Sequence, residues 1–284
     1  MSKKAAILDS DFTIKMASTR NSQDKSLADV VFELPYTFYC HEQNKIEITD
    51  HAQIASAWLE RNIAAKKITC ITDLQILTII KNSYNLSQNN AIKFYADWLK
   101  KSCEVFSKSF YETHYSELAS LACKEEVVSD EAFCDAVITG DLCVGKSNNL
   151  GEIKDILLAI TINQCLQMDC INFCSDDNRA RRSLLSFSQN DSFPIKSISY
   201  MGFYWVAKQK NLLSKNEEAE YLDSWKKYCS THKIGTNVTI KKNIHHLLPD
   251  YPKIDIDELF KSIWADDVIM MNDGYLVYKE ELNL

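Results

Sequence analysis

Short apolar runs of strand length recur along this chain, each stopping at polar residues. Longer stretches between them carry apolar side chains three and four apart. The first run, Ala5 to Leu8, ends in Asp9-Ser10-Asp11. A helix over Phe12 to Ser18 and a second helical stretch over Ser26 to Leu34 follow, the latter halted by Pro35. Tyr36 to Cys40 is aromatic-rich and strand-like, and runs into a helical turn carrying Glu47. Residues 50–66, 71–82, 87–108 and 110–124 then share the spacing of amphipathic helices. Val137 to Thr139 reads as a strand, Gly140 to Gly151 as a Gly-rich turn, and Glu152 to Leu166 as a strong helix. Cys170 to Cys174 is a buried strand that stops at Asp176 and Asp177, with a helix from Asn178. Ile195 to Ser199 is a further strand. Helices follow over Met201 to Lys210, Asn216 to Cys229, Val238 to Leu248 and Asp255 to Ala265. Val268 to Met271 and Tyr275 to Tyr278 flank Asn272-Asp273-Gly274, a hairpin pattern.

Strands alternating with helices predict an α/β protein, a three-layer α/β/α sandwich around a mainly parallel sheet. The pattern divides the chain into residues 1–49 and 135–250 as two parts of that domain. Residues 50–134 read as a helical insertion, and 251–284 as an appendage with a helix and a hairpin.

Composition narrows the classes. The 284 residues are 46% hydrophobic and 25% charged, ordinary values for a globular protein. The formal charge of −7 means that any polyanion must be met by a local patch. The chain has only Arg20, Arg61, Arg179, Arg181 and Arg182 as arginines, and three of them fall within four positions. Arginine pairs bidentately with phosphate, so the cluster is informative. The ten cysteines form no C-x-x-C and read as reduced and mostly buried, as in a cytoplasmic protein. Cys165, Cys170 and Cys174 match no zinc spacing. The apolar run at the N-terminus is too short for a signal peptide, and none reaches transmembrane length.

Carboxylates recur at element boundaries. Asp9 and Asp11 follow the first strand, Glu47 lies in the turn after the second, Glu152 opens a helix, and Asp176 and Asp177 end a later strand. In a parallel sheet such positions share the carboxyl edge, where ligands bind. Any one of them also reads as a helix cap. Together they supply the oxygen ligands that Mg²⁺ or Mn²⁺ prefers, for metal-assisted attack at phosphorus.

On these residues the chain resembles the PIN-domain nucleases. I-L-D-S-D-F resembles the family's opening motif, and Y-T-F-Y-C-H-E-Q-N-K-I-E-I its second strand and acidic helix. L-G-E-I-K-D-I-L-L-A-I resembles its Gly-Glu helix, and C-I-N-F-C-S-D-D-N-R-A-R-R-S its last acidic strand and Arg helix. S-I-S-Y-M-G-F-Y-W-V-A-K-Q-K-N-L-L-S resembles the segment after it. The resemblance covers about residues 5–48 and 137–247, and leaves out the helical stretch and the tail. The 105 residues from Glu47 to Glu152 exceed the family's usual separation, and Asp73 is the alternative second acid.

The resemblance implies a Mg²⁺- or Mn²⁺-dependent endoribonuclease of the bacterial toxin or defence type. Asp9, Glu47, Glu152 and Asp176 would be catalytic and hold the metal, with Asp11 and Asp177 beside them. Arg179, Arg182, Lys241 and Lys242 would contact RNA phosphates, while Arg181, on another face of its helix, would pack or pair with an acid. The implied partners are RNA, an antitoxin or regulatory protein, and a second copy of the chain, with no membrane.

Two other classes stay open. Gly140-Asp-Leu-Cys-Val-Gly-Lys-Ser147 fits the phosphate-loop pattern of nucleotide-binding proteins, but no N-K-x-D accompanies it and five residues delay the expected helix. A non-catalytic PIN-like scaffold that binds RNA or protein is the other. His245-His246 lacks a third ligand and reads as a helix-end feature.

Overall fold

The computed structural model describes residues 3–145, 149–191, 195–246 and 248–282, with the backbone alone at 188–191. The chain opens with β1 (Lys4–Leu8), α1 (Ser10–Ser18) and α2 (Leu27–Val31). These are followed by β2 (Thr37–His41), α3 (Glu42–His51), α4 (Gln53–Ala64) and β3 (Ile68–Ile71). Six helices come next: α5 (Asp73–Tyr84), α6 (Gln88–Glu104), α7 (Phe110–His114), α8 (Ser116–Ala122), α9 (Asp130–Val144) and α10 (Leu150–Leu166). Then β4 (Cys170–Cys174), α11 (Asn178–Asp191), β5 (Ile195–Ile198), α12 (Tyr200–Gln209) and α13 (Lys215–His232) complete the main body. The C-terminal part adds β6 (Val238–Thr239), β7 (Lys253–Ile254), α14 (Ile256–Trp264), β8 (Val268–Met270) and β9 (Leu276–Tyr278).

β1 to β5 form one parallel sheet in the order β3-β2-β1-β4-β5. Side chains alternate across a strand, and the sheet uses both faces. Ala5, Ile7, Tyr39, Phe173 and Ile195 face a core shared with α5, α6, α9, α10 and α11. Ala6, Leu8, Phe38, Cys40 and Ile198 face a core shared with α1, α2, α4, α12, α13 and α14. This is the three-layer α/β/α sandwich that the alternation of elements predicts. Among the described residues no helix is long and apolar enough to cross a membrane.

Several local expectations are corrected. Residues 50–134 are not purely helical, because Ile68–Ile71 is the edge strand β3, paired in parallel with β2. Four residues are too few for periodicity to separate a strand from the adjoining helices, and pairing with β2 decides the matter. Uninterrupted helix therefore begins only at α5. The boundary at 134/135 falls inside α9, so Val137 to Thr139 is helix and not strand. Phe133, Ala136, Val137, Gly140 and Val144 bury one face of α9, and that packing overrides the β-branched run. Gly140 lies within this helix, where a Cβ would meet the Tyr115 ring at 2.1 Å. A strand-to-loop phosphate cradle is therefore not formed over Gly140 to Val144, while Lys146 and Ser147 lie outside the described residues. The helix read over 110–124 breaks at Tyr115 into α7 and α8.

The helix expected over Val238 to Leu248 is likewise not formed among the described residues of that stretch, 238–246 and 248. Val238 and Thr239 form β6, paired antiparallel with β7, and Lys242 bridges to Asp250. Pro249 and Pro252 oppose a helix here, and β-branched Val238, Thr239 and Ile240 favour extended backbone. His245 consequently caps no helix, and its Nε2 lies 3.0 Å from the Glu281 carbonyl oxygen. The hairpin β8–β9 forms as the sequence predicts, antiparallel around its Gly274 turn.

That turn lies against the end of the sheet. Gly274 has φ +88°, and a Cβ on it would lie 2.1 Å from the Ser197 carbonyl oxygen. The Ser197 amide donates to the Asp273 carbonyl at 2.8 Å. We expect Gly274→Ala to destabilise the protein by about 1–3 kcal/mol through overpacking alone, with added strain from the positive φ. Chemical denaturation of the variant beside wild type measures this, and an unchanged midpoint would contradict the packing.

Candidate functional site

Four of the five parallel strands, β1 to β4, deliver polar groups to the same edge of the sheet. Asp9 follows β1 and caps α1, accepting from the Ser10 amide at 2.7 Å. His41 ends β2 and caps α3, its Nδ1 accepting from the Gln43 amide. Asp73 opens α5 directly after β3, and Ser175, Asp176 and Asp177 follow β4. Helix α10 crosses this edge and contributes Glu152, Lys154 and Asp155.

Asp9, Glu47, Glu152 and Asp155 form one group. Glu47, on α3, accepts from Ser10 Oγ at 2.8 Å and from Gln43 Nε2 at 3.1 Å. It sits against the start of α10, where a Cβ on Gly151 would lie 2.9 Å from Glu47 Oε1 and 3.3 Å from Asn44 Oδ1. Gly151 thus permits a close approach of Glu47, and a Cβ there would require the Glu47 carboxylate to shift. Asp155 is 0% exposed and accepts from Asn44 Nδ2 at 2.8 Å, while Asn44 Nδ2 also donates to the Leu8 carbonyl. Asp155 Oδ2 and Asn44 Oδ1 are buried with no hydrogen-bond partner among the described residues.

The electrostatics follow from this crowding. Burial, then Asp11, Glu152 and Glu47, push the Asp9 carboxyl well above its ordinary range, against a hydrogen bond from Ser175. Burial and then Asp9 do the same to Asp155. Burial raises Glu152 as well, with Asp177 and Glu47 adding to it and Arg179 opposing.

The other acids are differently employed. Asp176 accepts from the Tyr200 amide at 2.7 Å and pairs with Lys15 at 2.9 Å. Lys15 also pairs with Asp11 at 2.9 Å. Burial works against the Lys15 ammonium, but Asp176 and Asp11 outweigh it and raise its pKa. Burial pushes Asp11 up to about 6, although Lys15 opposes it. Asp177 caps α11, accepting from the Arg179 and Ala180 amides. For Asp177 the capping role is therefore the one in place.

Asp73 does not join the Asp9 group. It pairs with buried Lys154 at 2.9 Å and accepts from Tyr95 Oη at 2.5 Å, with His41 Nε2 at 3.4 Å. Burial raises its pKa, but Lys154 and His41 outweigh that and lower it. Lys154 pairs equally with Asp141, which accepts from Tyr115 Oη. Between Glu47 and Asp73, it is Glu47 that stands with Asp9.

Beside the acids lies a cleft of about 730 Å³ lined by Asn178, Arg179, Arg182, Lys241, Pro249 and Tyr251, among others. Arg179 and Arg182 are exposed, whereas Arg181 is 1% exposed. Arg181 lies 3.8 Å from the Tyr275 ring centroid and donates to Ser197 Oγ and O. Lys241 is tied to Asp273 at 2.5 Å. Lys242 lies over Tyr278 and does not line the cleft.

The sequence reading missed Asn44, Asp155 and Lys15. Glu152 and Asp155 are three apart on one helix face, a spacing that signals a shared site, but so apolar a helix reads first as core. Asn44 and Lys15 carry no comparable pattern. The oxygen-only donors suit a hard divalent cation, and the unpartnered Asp155 and Asn44 oxygens have coordination capacity to spare. Among the described residues, however, no three Asp, Glu, His or Cys side chains are gathered as a ready ion site. No family model, curated protein or solved structure matches this chain.

An acid whose pKa is raised by folding binds its proton more tightly in the native state, so losing that proton costs stability. For Asp11 the interval runs from 3.8 to about 6, and Asp9 and Asp155 extend it upward. These groups should make the metal-free protein less stable as pH rises from about 4 towards 7. Asp73, with its lowered pKa, loses its contribution only on stronger acidification. Mn²⁺ should therefore raise Tm more at about pH 7.5 than at about pH 5, in thermal unfolding with Mn²⁺ set against chelator. Equal shifts at both pH values would count against cation binding by these carboxylates.

Proposed function

We propose that this chain is a PIN-like, metal-dependent endoribonuclease. The observation that carries the reading is the convergence of Asp9, Glu47, Glu152 and Asp155 on one sheet edge, next to a cleft lined by Arg179 and Arg182. Four buried or half-buried acids repel one another, and a protein gains nothing structural by collecting them. A bound divalent cation would relieve that repulsion.

Asp9, Glu47, Glu152 and Asp155 would hold Mg²⁺ or Mn²⁺, with Asn44 orienting Asp155 from beneath. When bound, such an ion stabilises charge developing at phosphorus and makes water a better nucleophile. The chain's own groups do the rest. Arg179, near enough to Glu152 to oppose its raised pKa, orients the phosphate, and Arg182 holds the flanking backbone. Lys15 keeps Asp11 and Asp176 paired and turned towards α1, so Asp176 stands outside the central four unless Lys15 releases it. Lys241 contributes less phosphate affinity than its charge suggests, because Asp273 neutralises it.

The test is cleavage of mixed cellular RNA by the purified chain with Mn²⁺, with and without chelator. We expect Mn²⁺-dependent cutting, reduced about a hundredfold or more in Asp9→Asn and in Asp155→Asn. Lys242→Ala should cut as wild type does. RNA left intact by the wild-type chain under all these conditions would reject the reading. GTP or ATP binding in the same preparation would favour a nucleotide-binding protein instead.

A further inference from the structure

We propose that Cys40 and Cys70 form an oxidation site, a dithiol across the edge of the sheet that a hydroperoxide closes to a disulfide. Neither thiol belongs to the carboxylate group, so the site is independent of the nuclease reading.

The sheet itself brings the two thiols together. β3 is an edge strand, paired in parallel with β2, and Cys40 and Cys70 are direct register partners. Among the described residues no other two cysteines are partnered in this way. Side chains alternate along each strand, and register partners share a face. Both thiols lie against the core that includes Trp58 and Leu59, with Cys40 buried inside it and Cys70 half-buried at its margin. Neighbouring strands run about 4.7–4.9 Å apart, within the Cα separation of about 4.4–6.8 Å that a disulfide spans. Phe38 and Tyr39 pair with Ile68 and Thr69 on one side of the cysteines, and His41 pairs with Ile71 on the other. Just beyond, His41 Nε2 lies 3.4 Å from Asp73 at the start of α5. The two cysteines are therefore held opposite each other from both sides, and a bond between them needs little backbone movement.

The thiols are unlike, and the difference assigns their roles. A hydrogen bond from Cys40 holds Cys70 below the ordinary thiol range, with Lys45 helping and burial and Glu42 opposing. The same hydrogen bond, and then burial, push Cys40 well above that range. Cys70 is thus the thiolate that an oxidant from solvent meets, and Cys40 is the resolving thiol behind it. With hydrogen peroxide, the Cys70 thiolate attacks one oxygen and the O–O bond breaks. Cys70 becomes a sulfenic acid, and the departing hydroxide takes up a proton as the first water. The Cys40 sulfur then attacks the Cys70 sulfur and displaces its hydroxyl, which leaves with the Cys40 proton as the second water. Two electrons pass from the sulfurs to the peroxide, and the S–S bond forms. The loop so closed runs from β2 through α3 and α4 to β3, and it includes Glu47.

The experiment treats the full reduced chain, in chelator, with equimolar hydrogen peroxide and maps its cysteines by mass spectrometry. We expect a disulfide between Cys40 and Cys70 as the main product, with the loss of two of the ten thiols. Cys40→Ala removes the resolving thiol and should leave Cys70 as a sulfenic acid that dimedone traps. Cys70→Ser should abolish the link and leave Cys40 reduced. Tm confirms that both variants fold, and the wild-type map decides the matter without them. Cys40 and Cys70 left free while exposed Cys123 and Cys143 oxidise would overturn the site. So would a link from either thiol to a different cysteine, or a link between the two that forms only in urea.

Discussion

Helix α10 is buried along most of its length, and it carries two consecutive charged residues, Lys154 and Asp155, into the interior. An isolated buried charge is costly, so each must be compensated. The fold treats them in opposite ways. Lys154 lies between Asp73 and Asp141 at 2.9 Å each, with Tyr95 and Tyr115 supplying further hydrogen bonds to those acids. That network ties α5, α6, α9 and α10 to Tyr115, which lies between α7 and α8, and His41 at the end of β2 joins it to the sheet. Asp155 receives one hydrogen bond from Asn44 and otherwise faces other acids. The satisfied member of the pair organises structure, and the unsatisfied member marks the site.

The same contrast runs along the rest of the edge. Lys15 pairs with Asp11 and Asp176, and Asp177 spends its carboxylate on the first turn of α11. Among the described residues, Asp9, Glu47, Glu152 and Asp155 are the acids of this group with no cationic side chain directly paired to them, and Gly151 leaves room for Glu47 against α10. The cleft adds the complementary charge a short way off. It owes its second wall to the C-terminal segment, where the Tyr251 ring lies 5.1 Å from the Arg182 guanidinium and 4.9 Å from the Tyr275 ring.

Much of the architecture was legible in sequence. Four of the five sheet strands stand out as apolar runs ending at polar residues, and the hairpin announces itself by Asn272-Asp273-Gly274. β3 was not legible, because four residues between two helices carry no period of their own. Val137 to Thr139 misled in the opposite direction, since a β-branched run was overruled by the face that α9 buries. Val238 to Leu248 shows that apolar spacing without helix-compatible flanks is weak information, because Pro249 and Pro252 favoured an extended segment.

For the site, sequence alone determined which acids stand at element ends, since a strand's final residue and a helix's first turn are local properties. It also separated Arg181 from Arg179 and Arg182 by helical phase, and Arg181 is indeed the buried one of the three. Only the tertiary structure decided how those charges are used. Whether an acid meets Lys15, caps α11, joins Lys154 or stays unpaired depends on contacts between residues up to 161 positions apart. Such contacts are set by packing against two cores, and the order of the residues along the chain does not display them.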